Sequence, residues 1–173
     1  EEGRRFLAQI TEKAKRYVAI QDETLANAKL NSSNRATEAW QTETVPLIQA
    51  ITATTNPVIA AASRPEASPE MLRAALGFQE ARLEWLRLTR TATQLFGAAT
   101  TEDVQRLSKA TMDQIQTVRV ALAKTAGPIA EAGTSTEKTL AAFSSALESI
   151  TRVAQIAAEA GSIRAANMSM GEG

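Results

Sequence analysis

The sequence predicts an all-α fold, an antiparallel four-helix bundle with an N-terminal helical extension, and three observations support this prediction. Apolar residues recur every three or four positions over long stretches, which is the spacing of one helix face. No segment alternates apolar and polar residues between glycine-bearing turns, as a strand would. Glycine and proline number only 8 and 5 in 173 residues, so the chain carries few signals that end a helix.

The first helical block covers residues 1–62 and is interrupted. Apolar residues at helical spacing begin at Phe6 and continue to the end of the block. The polar run 31–34 is either a break or a polar patch on a continuing helix. Pro46 and Pro57 lie in the second half of the block, where each is expected to kink or break the helix because proline lacks an N–H.

The second predicted helix covers residues 69–98. Ser68 is a favoured N-cap, and Pro69 suits the first helical position. The predicted core stripe follows a heptad spacing and consists of Leu72, Leu76, Gln79, Leu83, Leu86 and Arg90. Trp85 falls off this stripe, so we expect a partly covered boundary residue or a tryptophan exposed at an interface.

The third and fourth predicted helices cover residues 101–132 and 135–168. Thr100 with Asp103 resembles a capping box at the start of the third helix, and Gly133 is expected to stop it after a disturbance at residues 127–128. Thr134 and Glu137 open the fourth. The two predicted core stripes are Val104, Leu107, Thr111, Ile115, Val118 and Leu122, and Leu140, Phe143, Leu147, Ile150, Ala154, Ala157 and Gly161.

Short connections make successive helices antiparallel, which predicts the domain organisation. Residues 34–170 form the four-helix bundle. Residues 1–33 are left over as an N-terminal helical extension. Such an amphipathic helix needs a partner, either from a part of the protein outside this sequence or from a second copy.

The composition excludes several classes of function. The chain has no His and no Cys, so the usual nucleophile–base pairs and the commonest transition-metal ligands are missing, and we predict no catalytic residues, no metal and no cofactor. Lys plus Arg and Asp plus Glu are both 19, a balance that argues against a nucleic-acid partner. No apolar run approaches the roughly 20 residues that span a bilayer.

Counting outward from the turns predicts one polar layer inside the bundle. A guanidinium beside a large aromatic and small residues would leave a cavity for a carboxylate, because arginine presents a planar pair of donors. Trp40 would form the wall, and Thr111 and Gln79 would donate hydrogen bonds. The layer consists of Trp40, Arg90, Ser108 or Thr111, and Ala154 or Ala157.

A purely structural alternative stays open for this layer. Arg90 would then bury only its stem while its head reaches solvent, or it would stack on Trp40 as a cation–π pair. In a second layer, Glu80 and Arg119 lie near one level, and an interhelical ion pair is expected between them.

The segment 79–90, the helix from Thr100 to Leu122 and the last helix with Leu140, Ile150 and Ile163 together resemble a bacterial chemoreceptor sensor domain of the helical bimodular type. The resemblance implies a periplasmic region of a membrane-anchored, homodimeric receptor that binds a small metabolite, often an organic acid, and transmits a helix shift across the membrane. Arg82, Arg87 and Arg90 stand where that family also carries arginines, so Arg87 joins Arg90 as a candidate ligand residue.

This sequence is shorter than the family pattern. The resemblance implies that it lacks the first helices of that pattern and that residues 1–33 are a second, incomplete bundle module. A second class of function stays open beside the sensor. This alternative is a non-enzymatic helical scaffold or interaction module without a small-molecule ligand, and it requires a dry core and a broad apolar face for a partner.

Overall fold

A computed structural model describes residues 1–129 and 134–170, and the side chains of residues 126–129 and 134–136 lie outside that description. The described part is 91% helical and contains no strand, which confirms the all-α prediction. The helices are α1 (Glu2–Leu30), α2 (Ser32–Ala39), α3 (Val45–Ala62), α4 (Pro69–Gln94), α5 (Thr101–Ile129), α6 (Thr134–Ala158) and α7 (Gly161–Ser169). A π-helical segment, Trp40–Thr44, joins α2 to α3, and a 3₁₀ turn, Leu95–Gly97, follows α4.

Two helix starts follow the predicted capping signals. The backbone N–H of Met71 donates to the Ser68 hydroxyl at 3.2 Å, with Pro69 at the first helical position of α4. At the start of α5 the N–H of Asp103 donates to the Thr100 hydroxyl at 3.0 Å, and that hydroxyl donates to the Asp103 carboxylate at 2.9 Å. The two contacts made by backbone N–H groups, those of Met71 and Asp103, give partners to donors that have none within their helices.

The two prolines of the first block have different outcomes. Before Pro46 the chain widens into the π segment, where the N–H of Val45 reaches the carbonyl of Trp40, five residues back. This wider turn is a local adjustment at a residue that has no N–H to donate. Pro57 lies inside α3, which continues to Ala62.

The buried face of α4 is not the predicted leucine stripe, so that prediction is wrong. Leu72, Leu76, Leu83 and Leu86 are 46–68% exposed, and Gln79 and Arg90 are exposed as well. The face turned to the core consists of Ala74, Ala75, Phe78, Ala81, Trp85, Leu88 and Ala92. Small residues on this face allow α5 to approach closely, and the large aromatic rings fill the space between them.

Trp85 is therefore a core residue, contrary to both expectations for it. It is 3% exposed and packs edge-on against the ring of Phe143 of α6, with the ring centroids 5.8 Å apart. This contact ties α4 to α6 through the centre of the core.

The stripes of α5 and α6 are confirmed. The six predicted α5 positions are buried, and in the last block all but the half-buried Leu140 are buried. The fourth block is not one helix, however, because it ends at Ala158 and resumes as α7 at Gly161. The predicted stop at Gly133 lies outside the described residues, although α5 continues through residues 127 and 128 to Ile129.

The first third of the chain packs along the last third, and the two run in opposite directions. Thr44 hydrogen-bonds Ser149 at 2.8 Å, and the amide of Asn27 lies 3.6 Å from the sulfur of Met168. Helices α2 and α3 thus lie along α6, and the end of α1 lies along α7. By contrast, every residue from 1 to 19 is exposed.

Both of these neighbouring segments break at the same level. Asn31 and Ala160 have left-handed backbones, with φ of 44° and 49°. The N–H of Ser33 donates to the Ser162 hydroxyl at 3.4 Å, and the N–H of Ser162 donates to the Ser32 hydroxyl at 3.5 Å. These reciprocal contacts provide partners for the first N–H groups of α2 and α7, which have none within their own helices.

An ion pair and a close contact hold the two breaks together. The guanidinium of Arg35 contacts the Glu159 carboxylate at 2.7 Å and the carbonyl of Leu30 at 3.0 Å. At Gly161 an added Cβ would lie 2.6 Å from both the carbonyl oxygen of Asn27 and the Cβ of Leu30. Glycine is therefore what allows the start of α7 to pack against the end of α1.

One stretch within Glu2–Ala62 has the length and apolar composition of a membrane-spanning helix, with a mean hydropathy of 1.2 over 18 residues. This departs from the expectation that no run approaches that length. The finding is weak evidence for a membrane span, because the core helix of a soluble protein passes the same test.

Candidate functional site

The five predicted ligand residues are divided between the core and the surface. Trp40 is 7% exposed and Thr111 is fully buried, whereas Gln79, Arg87 and Arg90 are exposed. The guanidinium of Arg87 contacts the Glu84 carboxylate at 2.6 Å on the same helix. The structure therefore does not bring these five side chains into one enclosed site.

Trp40 meets a different partner from the one expected. Its ring packs edge-on against Phe96 in the turn after α4, with centroids 5.7 Å apart. Arg90 is exposed because the face of α4 that carries it is turned to solvent. The predicted inward orientation of Arg90 is thus wrong, and among the described residues no guanidinium is buried between the helices at this level.

The buried polar groups are hydroxyls, and those with described bonds are satisfied within the protein. Thr111 donates to the carbonyl of Leu107 at 2.8 Å, and Ser108 reaches the carbonyl of Ala154 at 3.4 Å. Within the described residues, no charged side chain is buried. One buried oxygen lacks a partner there, Oε1 of the half-buried Gln114. This interior suits packing better than the binding of an ion.

The feature that best fits a ligand is a surface groove between α3 and α4. It has a volume of about 560 Å³, within the range of small-molecule sites. Its apolar lining comes from Ile59 and Ala60 of α3 and from Leu83 and Leu86 of α4. Its polar lining consists of Asn56, Gln79 and Arg82.

Arg82 gives this α3–α4 groove its charge. It is exposed and makes no ion pair or hydrogen bond with any residue that the structure describes. A free guanidinium next to two carboxamides and an apolar floor is suited to a carboxylate with a short hydrocarbon tail. Of the predicted ligand residues, Gln79 alone lines this groove.

Asn56 and Ile59 were missed as site residues, because the predicted site was placed inside the bundle. Their part in the groove depends on how α3 lies against the exposed side of α4. The only sequence feature that pointed to this side of α4 was the arginine-bearing segment 79–90.

A second groove lies between α5 and α6, with a volume of about 270 Å³, and Arg119 is in its lining. The expected ion pair between Glu80 and Arg119 is not formed, since Glu80 instead contacts the ammonium of Lys124 at 3.3 Å. Lys124 lies five residues further along α5 than Arg119, the partner expected from the turn count. Arg119 is therefore the alternative to Arg82 as the guanidinium that would bind an anionic ligand.

The described part of the chain holds no cluster of three or more metal-ligating side chains. Shifted pKa values occur at two helix starts outside both grooves. The pKa of Glu70 is lowered by hydrogen bonds from its own backbone N–H and from Ser68. The pKa of Asp103 is lowered by hydrogen bonds from Arg106 and Thr100. These shifts are those of carboxylates at helix N-termini.

Comparison of the chain with protein-family models, with curated proteins and with solved structures finds no match.

Proposed function

We propose that this chain is the extracytoplasmic sensing domain of a chemoreceptor or sensor kinase and that it binds a small carboxylate in the α3–α4 groove. The observation that carries the proposal is the unpaired Arg82 guanidinium beside the apolar lining. In water an exposed guanidinium gains little from a lone carboxylate, so the apolar floor has to contribute to affinity. A short aliphatic acid supplies both groups.

The proposed arrangement places the ligand between two helices of an antiparallel four-helix bundle. That bundle covers residues 34–170, and residues 1–33 form the incomplete second module. A ligand that touches both α3 and α4 favours one spacing of the two helices over another, and this difference in affinity is what produces a helix shift. The parent protein is proposed to be a homodimer anchored in the inner membrane, with this domain in the periplasm.

Isothermal titration calorimetry tests the ligand class with acetate, butyrate and succinate, and with butyramide as the uncharged counterpart of butyrate. We expect butyrate to bind more tightly than acetate, since it buries more apolar surface, and butyramide to bind least. Arg82→Ala should weaken butyrate binding about tenfold, the effect of losing one charge-assisted hydrogen bond. The butyrate affinity of Arg82→Lys should lie between those of the natural chain and Arg82→Ala, because lysine keeps the charge but not the paired donors.

Arg90→Ala and Arg119→Ala are the matched controls. Arg90 lies outside the groove lining, so its loss should leave the affinity unchanged. A loss of binding in Arg119→Ala with full binding in Arg82→Ala would move the site to the groove between α5 and α6. If butyrate and butyramide bound equally well, the guanidinium would play no part in binding.

The exposed leucines of α4 favour a second candidate function, a helical scaffold or interaction module without a small ligand. Leu76 and Leu83 are 68% and 60% exposed, and apolar surface of this kind marks a protein interface. The sequence of the parent protein distinguishes the two functions. A receptor requires hydrophobic membrane segments on both sides of this region, and a scaffold requires none.

A further inference from the structure

The first half of α1 carries an apolar face that no described helix covers. The side chains of this α1 face are 48–63% exposed, and the helical period places them on one arc of about 120°. Helix α7 packs along α1, but the half-buried positions of α1 begin only at Ile20. The α1 face consists of Phe6, Leu7, Ile10, Tyr17 and Val18.

Basic side chains border the α1 face on both sides. Residues 1–20 contain five basic and three acidic side chains, whereas the rest of this neutral chain has two more acidic than basic ones. At about 100° per residue, Lys13 lies at one edge of the face, Arg4 and Lys15 lie at the other, and Glu12 lies opposite. None of the five basic side chains makes an ion pair or hydrogen bond with a residue that the structure describes. The positive charge of this half of α1 is therefore unpaired and local.

An anionic bilayer surface is complementary to both features. A helix with an apolar face and basic residues around it lies in the plane of the membrane interface, with its apolar side chains among the acyl chains and its cations at the lipid phosphates. Phe6 and Tyr17 suit this boundary, because an aromatic ring is apolar and the tyrosine hydroxyl can stay on the polar side.

A second copy of α1 is a less complementary partner for the same face. Two copies of residues 1–20 carry the same positive excess, so pairing their α1 faces brings like charges together, whereas lipid phosphates neutralise them. The acidic excess of residues 21–173 is repelled by an anionic surface. The charge distribution therefore directs α1, and not the bundle, to the bilayer.

We propose that the first half of α1 binds in the plane of an anionic membrane surface through the α1 face and its basic border. The bilayer then covers the side of the incomplete module that no described helix covers. This inference rests on the proposed function only in that a membrane-anchored domain has a bilayer within reach. The α3–α4 groove and its carboxylate play no part in it.

Sedimentation with lipid vesicles tests the proposal. The whole 173-residue chain is mixed, in a buffer free of carboxylates, with phosphatidylcholine vesicles of which a quarter of the lipid is phosphatidylglycerol. Binding should weaken about tenfold or more with pure phosphatidylcholine vesicles, because lysine and arginine near an anionic surface each add to the affinity. It should weaken similarly at about 0.5 M salt, where charges are screened within a few ångströms. Hydrogen–deuterium exchange of residues 2–19 should slow when the anionic vesicles are added.

Variants of exposed residues separate the apolar contribution from the charge. Leu7→Glu should weaken binding to the anionic vesicles about tenfold or more, because it removes a buried leucine from the membrane contact. Replacing both Arg4 and Lys15 with glutamine should weaken it several-fold. Leu76→Glu, the same change at an exposed leucine of α4, is the matched control and should bind as the natural chain does. Circular dichroism should show the same fold in all of these proteins.

Four results would overturn the proposal. They are a natural chain that does not bind the anionic vesicles, full binding by Leu7→Glu, an equal loss in Leu7→Glu and Leu76→Glu, and equal binding to both kinds of vesicle. A dimer in sedimentation equilibrium that Leu7→Glu abolishes, together with no vesicle binding, would assign the α1 face to a second copy. Leu7→Glu should keep its butyrate affinity and Arg82→Ala its vesicle binding, so the membrane contact and the carboxylate site can each fail alone.

Discussion

Gly77 marks a close approach between α4 and α5. A Cβ added there would lie 1.8 Å from the methyl carbon of Thr125 and 3.1 Å from its Cβ. Thr125 is buried, and its hydroxyl donates to the carbonyl of Leu122 at 2.5 Å, so the side chain cannot turn away without losing that bond. The contact leaves no room for even one methyl group.

Gly77→Ala is therefore expected to lower the free energy of unfolding by about 1–3 kcal/mol, the usual cost of overpacking. Thr125→Ser removes the clashing methyl and keeps the hydroxyl. The double variant Gly77→Ala/Thr125→Ser should therefore regain most of the lost free energy of unfolding. Urea unfolding of the four proteins measures this coupling as a double-mutant cycle. Additive effects would mean that the two positions do not meet. Gly97→Ala, with open space around its added Cβ, is the control.

The side chain of Arg90 shows what could be deduced residue by residue and what could not. The α4 sequence carries two apolar stripes, and the leucine stripe has the stronger periodic pattern by size and hydropathy. The fold buries the other stripe, because Ala81 and its neighbours let the helices approach while Phe78 and Trp85 fill the centre. Periodicity reports a helix, but it does not tell which of two stripes meets the core.

The residues at the two helix breaks, Asn31 and Ala160, differ in how easily they adopt a left-handed backbone conformation. Asn31 is a residue type that adopts this conformation readily, whereas Ala160 carries a Cβ that disfavours it. Ala160→Gly should raise the free energy of unfolding by up to about 1 kcal/mol. Asn31→Gly should gain less, and thermal unfolding of both variants measures the difference. Equal gains at the two positions would show that the strain of the Cβ is not the cause.

The capped starts of α4 and α5 predict a dependence of stability on pH. Because the pKa of Asp103 is lowered in the folded protein, its carboxylate stabilises the fold above the unfolded-state pKa. That contribution is lost as the pH falls below the ordinary pKa of 3.8 and through the lowered pKa of the folded state. Urea unfolding should find Asp103→Asn less stable than the natural chain at pH 7, with the difference shrinking at pH 3. A difference that stays constant would show that charge is not involved. Thr100→Ala should be destabilised at both pH values, because it also removes the hydroxyl that accepts from the Asp103 backbone N–H.

At the level of elements, the caps, the third helix stripe and the boundary near residues 63–68 could be read from the sequence. These features depend on local chemistry, such as the Ser68 side chain and the following proline. The break at Ala160 was not predicted, because alanine is a strong helix former and the glycine that follows it, Gly161, was assigned to the core stripe of a continuous helix. It follows instead from the contact with the break at Asn31 across the neighbouring helix.

At the scale of the whole molecule, the helices differ in how much of their surface packs against other helices. Residues 1–19 of α1 are exposed on every side, and an isolated helix of this length is only marginally stable in water. Hydrogen–deuterium exchange should therefore be complete in peptides from residues 2–19 long before it begins in peptides from residues 104–122. Equal protection of the two segments would mean that a second copy or another partner covers α1.

The candidate site also depends on the whole molecule, because two separate helices line it. The sequence therefore predicted it only in part. An arginine on α4, a carboxamide at Gln79 and an organic-acid ligand were expected. The arginine in the groove is Arg82, and its partners Asn56 and Ile59 come from α3. Which side of one helix meets another depends on the packing of all the helices together.

The helix breaks at Asn31 and Ala160 also determine where α1 would pivot if it tilted. Asn31 and Ala160 lie side by side and are tied by the Arg35–Glu159 pair, so a tilt of α1 together with α7 would turn about this one joint. Helix α1 has 29 residues and is about 44 Å long, so it acts as a lever arm. A tilt of about ten degrees at the joint would carry its far tip through about 8 Å, many times the movement of the residues at the joint itself.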